Sequence, residues 1–221
     1  MMNNLFSIFD PITLMNMPFN WFSILFLSLF IPKKMFYLPN RYIMLYYSIF
    51  QFLSKEFKSI LKNNKFIFLP IIMFMLIMIN NLMSLSPYIF TSTSHLQLNM
   101  LMSFPIWMSI MIFGWIYNYN LMFSHLVPMN TPIYLMNFMV IIETISNIIR
   151  PLTLMIRLTA NLIAGHLLMT LLSSMKFNLS YNFIMILILI QMILIILELS
   201  VAIIQAYVFS LLICLYYMDV N

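Results

Sequence analysis

The chain has 221 residues, of which 64% are hydrophobic and only 7% are charged, and its formal net charge is +5. Its mean hydropathy is +1.02. Soluble domains carry about 25% charged residues, so this composition excludes a soluble globular protein and indicates a chain whose solvent is mostly lipid. The length allows a single membrane domain of about four to six helices over residues 1–221.

The charge and the rare residue types narrow the functional classes further. Six of the ten cations lie between Lys33 and Lys62, beside apolar segments, which favours a role in membrane topology over nucleic-acid binding. Cys214 is the only cysteine, and the only glycines are Gly114 and Gly165. An intrachain disulfide, a multi-cysteine metal site and a glycine-rich phosphate loop are therefore excluded. We expect no cofactor and no metal.

The first half of the chain predicts a membrane span followed by a surface helix. An apolar span is predicted over residues 12–31, and the basic residues that follow it place the N-terminus outside. Residues 41–65 mix apolar and basic side chains, and their lysines recur at helical spacing. This pattern predicts an amphipathic helix on the inner membrane face, with a solvated loop as the alternative. Further spans are predicted over residues 66–86 and 98–117.

Two histidines lie in the predicted connections on either side of the span 98–117. His95 lies in a polar segment before it, and His125 lies in a predicted loop from Asn118 to Pro132. Both histidines are interpreted as structural or incidental.

Two long apolar stretches complete the chain, over residues 133–172 and 179–217. Each would be about 60 Å long if wholly helical, whereas the hydrocarbon core of a bilayer is about 30 Å thick. Neither stretch fits as one upright helix, so we predict a long and strongly tilted helical hairpin, with Pro151 as a kink site. The predicted fold is an all-α integral membrane protein with about five membrane-embedded helices and one amphipathic surface helix.

The hairpin carries polar residues at a regular spacing. Seven residues make about two helical turns, so residues at this spacing share one face of a helix. Ionisable groups at lipid depth are costly and are candidates for function by default. The alternative is hydrogen-bonding between packed helices, and Arg150 next to Pro151 could lie at the membrane edge. The first stretch carries Glu143, Arg150 and Arg157 at this spacing, with Asn161 one turn further. The second stretch carries Gln191, Glu198 and Gln205.

The chemistry of these side chains predicts a barrier with relays on both sides. Arg157 cannot release its proton, so it acts as a fixed positive charge. Glu and His can relay protons, because their surroundings can shift their pKa values toward neutrality. Along a helix, Glu143 lies about 21 Å before Arg157 and His166 about 13.5 Å after it. His166 points to the opposite side of the helix from Arg157, and a merely packed histidine remains the alternative.

Several segments carry a family resemblance that covers the whole chain. IETISNIIRPLTLMIRLTANLIAGHLL (residues 142–168) and LELSVAIIQAYVFSLL (197–212) resemble the ATP synthase a subunit in its mitochondrial form. NLFSIFDP (4–11) and VPMNTP (127–132) are similar too. The sequence departs from the family pattern at Met129-Asn130, Asn137 and Leu152, which leaves local loop and kink geometry open.

The resemblance implies a role for most of the candidate residues. Arg157 matches the family's essential arginine, which pairs with a carboxylate of the rotating c-ring and blocks proton leakage. His166 and Glu198 match a polar pair in the half-channel open to the intermembrane space, and Glu143 matches the acid on the matrix-side path. Arg150 and Gln191 are weaker candidates from spacing alone. The polar positions matched near the arginine are Asn161, Gln205 and Tyr207.

The resemblance also implies a location and partners. We expect the mitochondrial inner membrane, with the N-terminus toward the intermembrane space and the C-terminus toward the matrix. The implied partners are the c-ring proteolipids, other F0 and peripheral-stalk subunits and the lipid bilayer, and no nucleic acid. We expect no ATP chemistry in this chain.

Two questions stay open at the level of sequence. Folding the hairpin symmetrically places Arg157 near Glu198, whereas the family register places Arg157 near Gln205 and His166 near Glu198; we favour the second. An independent proton-coupled carrier is the alternative function, although no repeat symmetry supports it. A haem enzyme is disfavoured, because only His166 would lie at membrane depth.

Overall fold

The computed structural model describes most of the chain. The described residues are 6, 9–12, 18–24, 38–61, 66–86, 89–127, 132–175 and 181–220. Most of the predicted span 12–31 therefore lies outside them, as do the basic residues after it, residues 62–65 and residues 176–180 between the two long apolar stretches.

The described residues form α-helices and short 3-10 turns, without any strand. Each of the last two α-helices has 40 residues or more. The helices are α1 (Arg41–Ile60), α2 (Phe68–Ser84), α3 (Leu96–Tyr117), α4 (Tyr119–Leu126), α5 (Ile133–Met175) and α6 (Tyr181–Val220), and the turns are Phe19–Phe22 and Ser92–Ser94.

Three of these helices are long and apolar enough to cross a membrane. They contain the segments Leu96–Tyr117, Tyr134–Met175 and Phe183–Val220, and α2 is a shorter apolar helix of 17 residues. The prediction of an all-α membrane protein is thereby confirmed.

The segment after α3 differs from the sequence prediction. Residues 119–126 form the short helix α4, so His125 lies in a helix rather than in a loop. The helix α3 ends before Asn118, whose backbone angles of φ −127° and ψ 41° are not helical. The carbonyl of Asn118 accepts a hydrogen bond from the backbone N–H of Met122 at 3.1 Å, which is the first hydrogen bond of α4. The segment Tyr119–Leu126 contains neither proline nor glycine, so no helix-breaking residue interrupts the new helix.

The buried core lies where α1, α2 and α3 meet the C-terminal half of α6. Phe57 on α1, Ile71 on α2 and Ile213 on α6 are among its members. The N-terminal half of α6 is very different, since no residue from Phe183 to Val201 is buried. The described chain therefore leaves a broad apolar face on α6 for lipid or for another subunit.

The serine and threonine hydroxyls on α5 and α6 donate their hydrogen bonds within their own helices. Each donates to a backbone carbonyl three or four residues earlier, which is the usual solution for hydroxyls in apolar surroundings. The polar groups of these helices that need partners elsewhere are thus amides, imidazole, tyrosine hydroxyls and charged groups. The hydroxyl donors are Thr144, Ser146, Thr153, Thr159, Thr170, Ser173, Ser174, Ser200 and Ser210.

Candidate functional site

A cavity between α5 and α6 gathers four of the residues singled out from the sequence. It has a volume of about 230 Å³, and Leu85, just beyond the end of α2, also lines it. We call it the Glu198 cavity. Its polar lining residues are Asn161, His166, Glu198 and Gln205.

Close contact between Gly165 and Glu198 sets the register of the hairpin. A β-carbon built on Gly165 would lie 2.6 Å from Glu198 Oε1 and 2.8 Å from its Cδ. The two helices run antiparallel, so a residue eight positions before Gly165 lies at the level of a residue eight positions after Glu198. These residues are Arg157 on α5 and Ala206 on α6. Arg157 therefore lies at the level of Gln205, the second of the two registers considered above, and His166 lies beside Glu198.

Three polar atoms in the Glu198 cavity are buried without a hydrogen-bond partner among the described residues. They are His166 Nε2, Glu198 Oε1 and Gln205 Nε2. A buried polar atom without a partner costs about 1–3 kcal/mol. The cavity is large enough for several water molecules, so bridging water is the natural way to satisfy these atoms.

A second set of charged residues lies on the other side of Arg157 from the Glu198 cavity, near the end of α6. We call it the Arg150 cluster, and its members are Glu143, Arg150, Tyr216 and Asp219. Arg150 Nη2 lies 3.7 Å from Glu143 Oε1, and Nη1 donates to Asp219 Oδ2 at 3.4 Å. The guanidinium carbon lies 5.4 Å from the centre of the Tyr216 ring. The four residues line a cavity of about 390 Å³.

Arg157 lies between these two groups on the exposed side of α5. Among the described residues there are two ion pairs, and both are made by Arg150. Arg157 is seven residues beyond Arg150 and nine before His166, which corresponds to about 10 Å and 13.5 Å along the helix.

The two remaining candidates lie away from both cavities. Tyr207 is half-buried and packs against the core, with its hydroxyl facing the carboxylate of Glu56 on α1. Gln191 is half-buried on α6, seven residues before Glu198, and does not line the Glu198 cavity.

Sequence reasoning missed three members of the site: Asp219, Tyr216 and Gly165. Asp219 near the end of the last apolar stretch looks like an ordinary membrane-edge charge, and only the fold brings it to Arg150. Gly165 did carry a signal, because it is one of only two glycines in the chain; such a rare residue often marks a close approach.

Buried polar residues also surround the end of α2. Asn80 and Asn81 are 5% and 0% exposed, and side-chain atoms of both lack a partner in the described part of the chain. The turn Ser92–Ser94 packs against α2 and α5. A cavity of about 500 Å³ is lined by Asn80, Ser84 and Ser92 among others. Ser84 and the adjacent Leu85 thus face two neighbouring cavities.

Comparison with known proteins agrees with the resemblance noted from the sequence. Residues 12–218 match the family model described as ATP synthase A chain. The chain is 50% identical to the ATP synthase subunit a of Drosophila melanogaster, 50% identical to that of Aedes albopictus and 51% identical to that of Locusta migratoria. Each alignment covers 100% of both chains. This chain therefore belongs to the ATP synthase A chain family.

Proposed function

We propose that this chain conducts protons across the inner mitochondrial membrane as the stator channel subunit of a rotary ATP synthase. It delivers protons to, and collects them from, the carboxylates of a rotating ring of proteolipid subunits. The observation that carries the proposal is the position of Arg157, exposed on α5 and outside both ion pairs of the described residues. An arginine at the centre of a bilayer costs about 2.5–3.5 kcal/mol, and a carboxylate facing it from another subunit would offset this cost.

Arg157 is the barrier in this mechanism. Its guanidinium group stays protonated and cannot pass a proton on. A fixed positive charge at this point attracts the ring carboxylate and repels protons that would cross directly. Each ring carboxylate therefore exchanges its proton on one side of Arg157 and takes up a new one on the other side. Gln205, at the same level of α6, lies beside this exchange point.

The Glu198 cavity forms the outer half-path. His166 and Glu198 are titratable groups that line one cavity, and their unpartnered atoms face space that water can fill. Asn161 and Gln205 extend this polar lining toward Arg157. The buried polar residues around the end of α2 lead from the intermembrane space to the same cavity.

The Arg150 cluster forms the inner half-path. Glu143 lines a cavity near the end of α6, on the other side of Arg157 from His166. With the C-terminus toward the matrix, this cavity opens to the matrix, and the N-terminus lies toward the intermembrane space. The two half-paths are thus offset along the hairpin and meet only through the rotating ring.

The test is the variant Arg157→Ala in the assembled complex. We expect it to abolish ATP-coupled proton flow and to permit a passive proton leak, because the barrier charge is gone. Lys58→Gln on the exposed side of α1 also removes one positive charge, and it should change neither quantity. Proton-driven ATP synthesis at a normal rate in Arg157→Ala would refute the proposal. Coupled transport by this chain reconstituted without ring subunits would favour an independent carrier instead.

A further inference from the structure

Arg150 is the one residue of the described chain that forms ion pairs with carboxylates on both helices of the hairpin. Its two terminal nitrogens face different partners: Nη2 faces Glu143 on its own helix at 3.7 Å, and Nη1 faces Asp219 on α6 at 3.4 Å. A guanidinium group can serve two carboxylates at once, because its donors form a rigid planar fork. A lysine ammonium is a single point charge on a flexible stem and cannot hold the same two-sided geometry.

The end of α6 is anchored in a way that presents Asp219 to Arg150. Asn118, between α3 and α4, donates from Nδ2 to the carbonyl of Val220 at 3.1 Å. Gly114 lets the end of α6 approach α3 closely, since a β-carbon on Gly114 would lie 2.5 Å from Val220 Cγ1. Tyr216, one turn before Val220, lies with its ring beneath the guanidinium group. The backbone of Asp219 is thus held by the packing of its neighbours. Its side chain is 63% exposed, so the position of the carboxylate depends on the ion pair with Arg150.

Glu143 lacks such anchoring, and Arg150 is its partner among the described ion pairs. Its side chain is 36% exposed, and that of Arg150 is 35% exposed. Both lie at the wall of the cavity rather than in the core. The ion pair with Arg150 therefore favours a position of the Glu143 carboxylate near the guanidinium group, in the cavity that Asp219 also lines.

We propose that Arg150 is a positioning residue at the inner end of the proton path, which holds the carboxylates of Glu143 and Asp219 on its two sides. A proton that leaves Glu143 then meets a second carboxylate at a defined place in the same cavity. Arg150 itself carries no proton, since it stays charged. This inference rests on the proposed function, because it assigns a task to the inner half-path.

The experiment measures ATP-driven proton pumping by the complete complex in inner-membrane vesicles. Rates are normalised to the amount of assembled complex, so that a defect in folding or assembly does not count as a defect in flow. Arg150→Gln and Asp219→Asn should each lower the rate about two- to fivefold, the loss expected for a partly exposed ion pair. Arg150→Lys should restore part of the rate, because it keeps the charge but not the fork. Lys58→Gln should have the rate of the unmodified chain.

Combining the two substitutions separates positioning from independent roles. If Arg150 acts through Asp219, the double variant Arg150→Gln/Asp219→Asn should be no slower than the slower single variant. Rates that multiply in the double variant, or an unchanged rate in Arg150→Gln, would overturn the inference. If Arg150→Gln does not assemble, the pumping rate of Asp219→Asn is the test. An unchanged rate in Asp219→Asn would then reject the inference.

Arg157→Ala in the same vesicles keeps this inference distinct from the proposed function. Loss of coupled flow in Arg157→Ala together with normal flow in Arg150→Gln would reject the positioning role and leave the proposed function standing. Normal coupled flow in Arg157→Ala would reject the proposed function, whatever Arg150→Gln does.

Discussion

Glu198 Oε1 lies 2.6 Å from the point where a β-carbon on Gly165 would stand. The carboxylate of one helix thus occupies the space that a side chain on the facing helix would take. Glu198 is thereby held against α5 and beside His166, within a cavity that both residues line. A residue as small as glycine is needed at this point for the shape of the proposed outer half-path.

The first prediction concerns Gly165→Ala. The added methyl group would displace the end of the Glu198 side chain, which is flexible, and not the backbone of α6. We therefore expect normal assembly but a proton-pumping rate about fivefold lower, since an off-rotamer side chain costs about 1 kcal/mol. Pumping per assembled complex is the measurement.

A second substitution controls for the direct effect of the methyl group. Glu198→Asp shortens the carboxylate by one methylene and makes room for the new β-carbon. The double variant Gly165→Ala/Glu198→Asp should therefore pump faster than Gly165→Ala alone. If the double variant is as slow or slower, the contact between Gly165 and Glu198 is not what limits flow.

The second prediction concerns the two titratable residues of the Glu198 cavity. Glu198→Gln keeps the size of the side chain but removes the carboxylate, and His166→Leu removes the imidazole. Each should slow proton flow in both directions, because a relay is lost, without opening a leak, because Arg157 is intact. Passive conductance and pumping are measured on the same vesicles. Unchanged proton conductance in both variants would mean that the outer half-path has been assigned to the wrong residues.

Helical periodicity and composition were the basis of the structural predictions made from the sequence. A spacing of seven residues predicted that Glu143 and Arg150 share one face of a helix, and their charged groups are 3.7 Å apart. The composition predicted an all-α membrane fold, and long apolar stretches predicted the hairpin. These features depend on the local chain, where spacing along the sequence translates directly into spacing along a helix.

Contacts between distant parts of the chain could not be predicted in the same way. Arg150 and Asp219 are 69 residues apart in sequence, and their meeting depends on how the end of α6 docks against Gly114. The helix α4 was missed because its 8 residues are too few to show a clear apolar period. The family resemblance favoured the register in which His166 adjoins Glu198. Folding the hairpin symmetrically about its turn would instead have placed Arg157 near Glu198.

The third prediction concerns the docking of α1 onto the bundle. Phe57 is 0% exposed in the core, whereas Phe52 on the same helix is 63% exposed. Phe57→Ala should lower the stability of the complex by about 3–5 kcal/mol, the usual cost of removing a buried phenylalanine ring. Phe52→Ala makes the same chemical change at an exposed position and should have little effect. Thermal unfolding in detergent measures both; equal shifts in midpoint would show that α1 is not packed in this way.

The last prediction tests the hairpin register in the native complex. In a chain with Cys214→Ala, cysteine pairs are introduced at positions 157 and 205 or at positions 157 and 198. Residue 198 lies about 10 Å along α6 from the level of residue 205, and a disulfide tolerates a Cα separation of at most about 7 Å. Mild oxidation should therefore close the 157/205 pair at least several-fold faster than the 157/198 pair, as judged by the mobility of the unreduced chain. Preferential closure of 157/198 would mean that the hairpin folds symmetrically about its turn, and Glu198 would then lie beside Arg157 instead of beside His166.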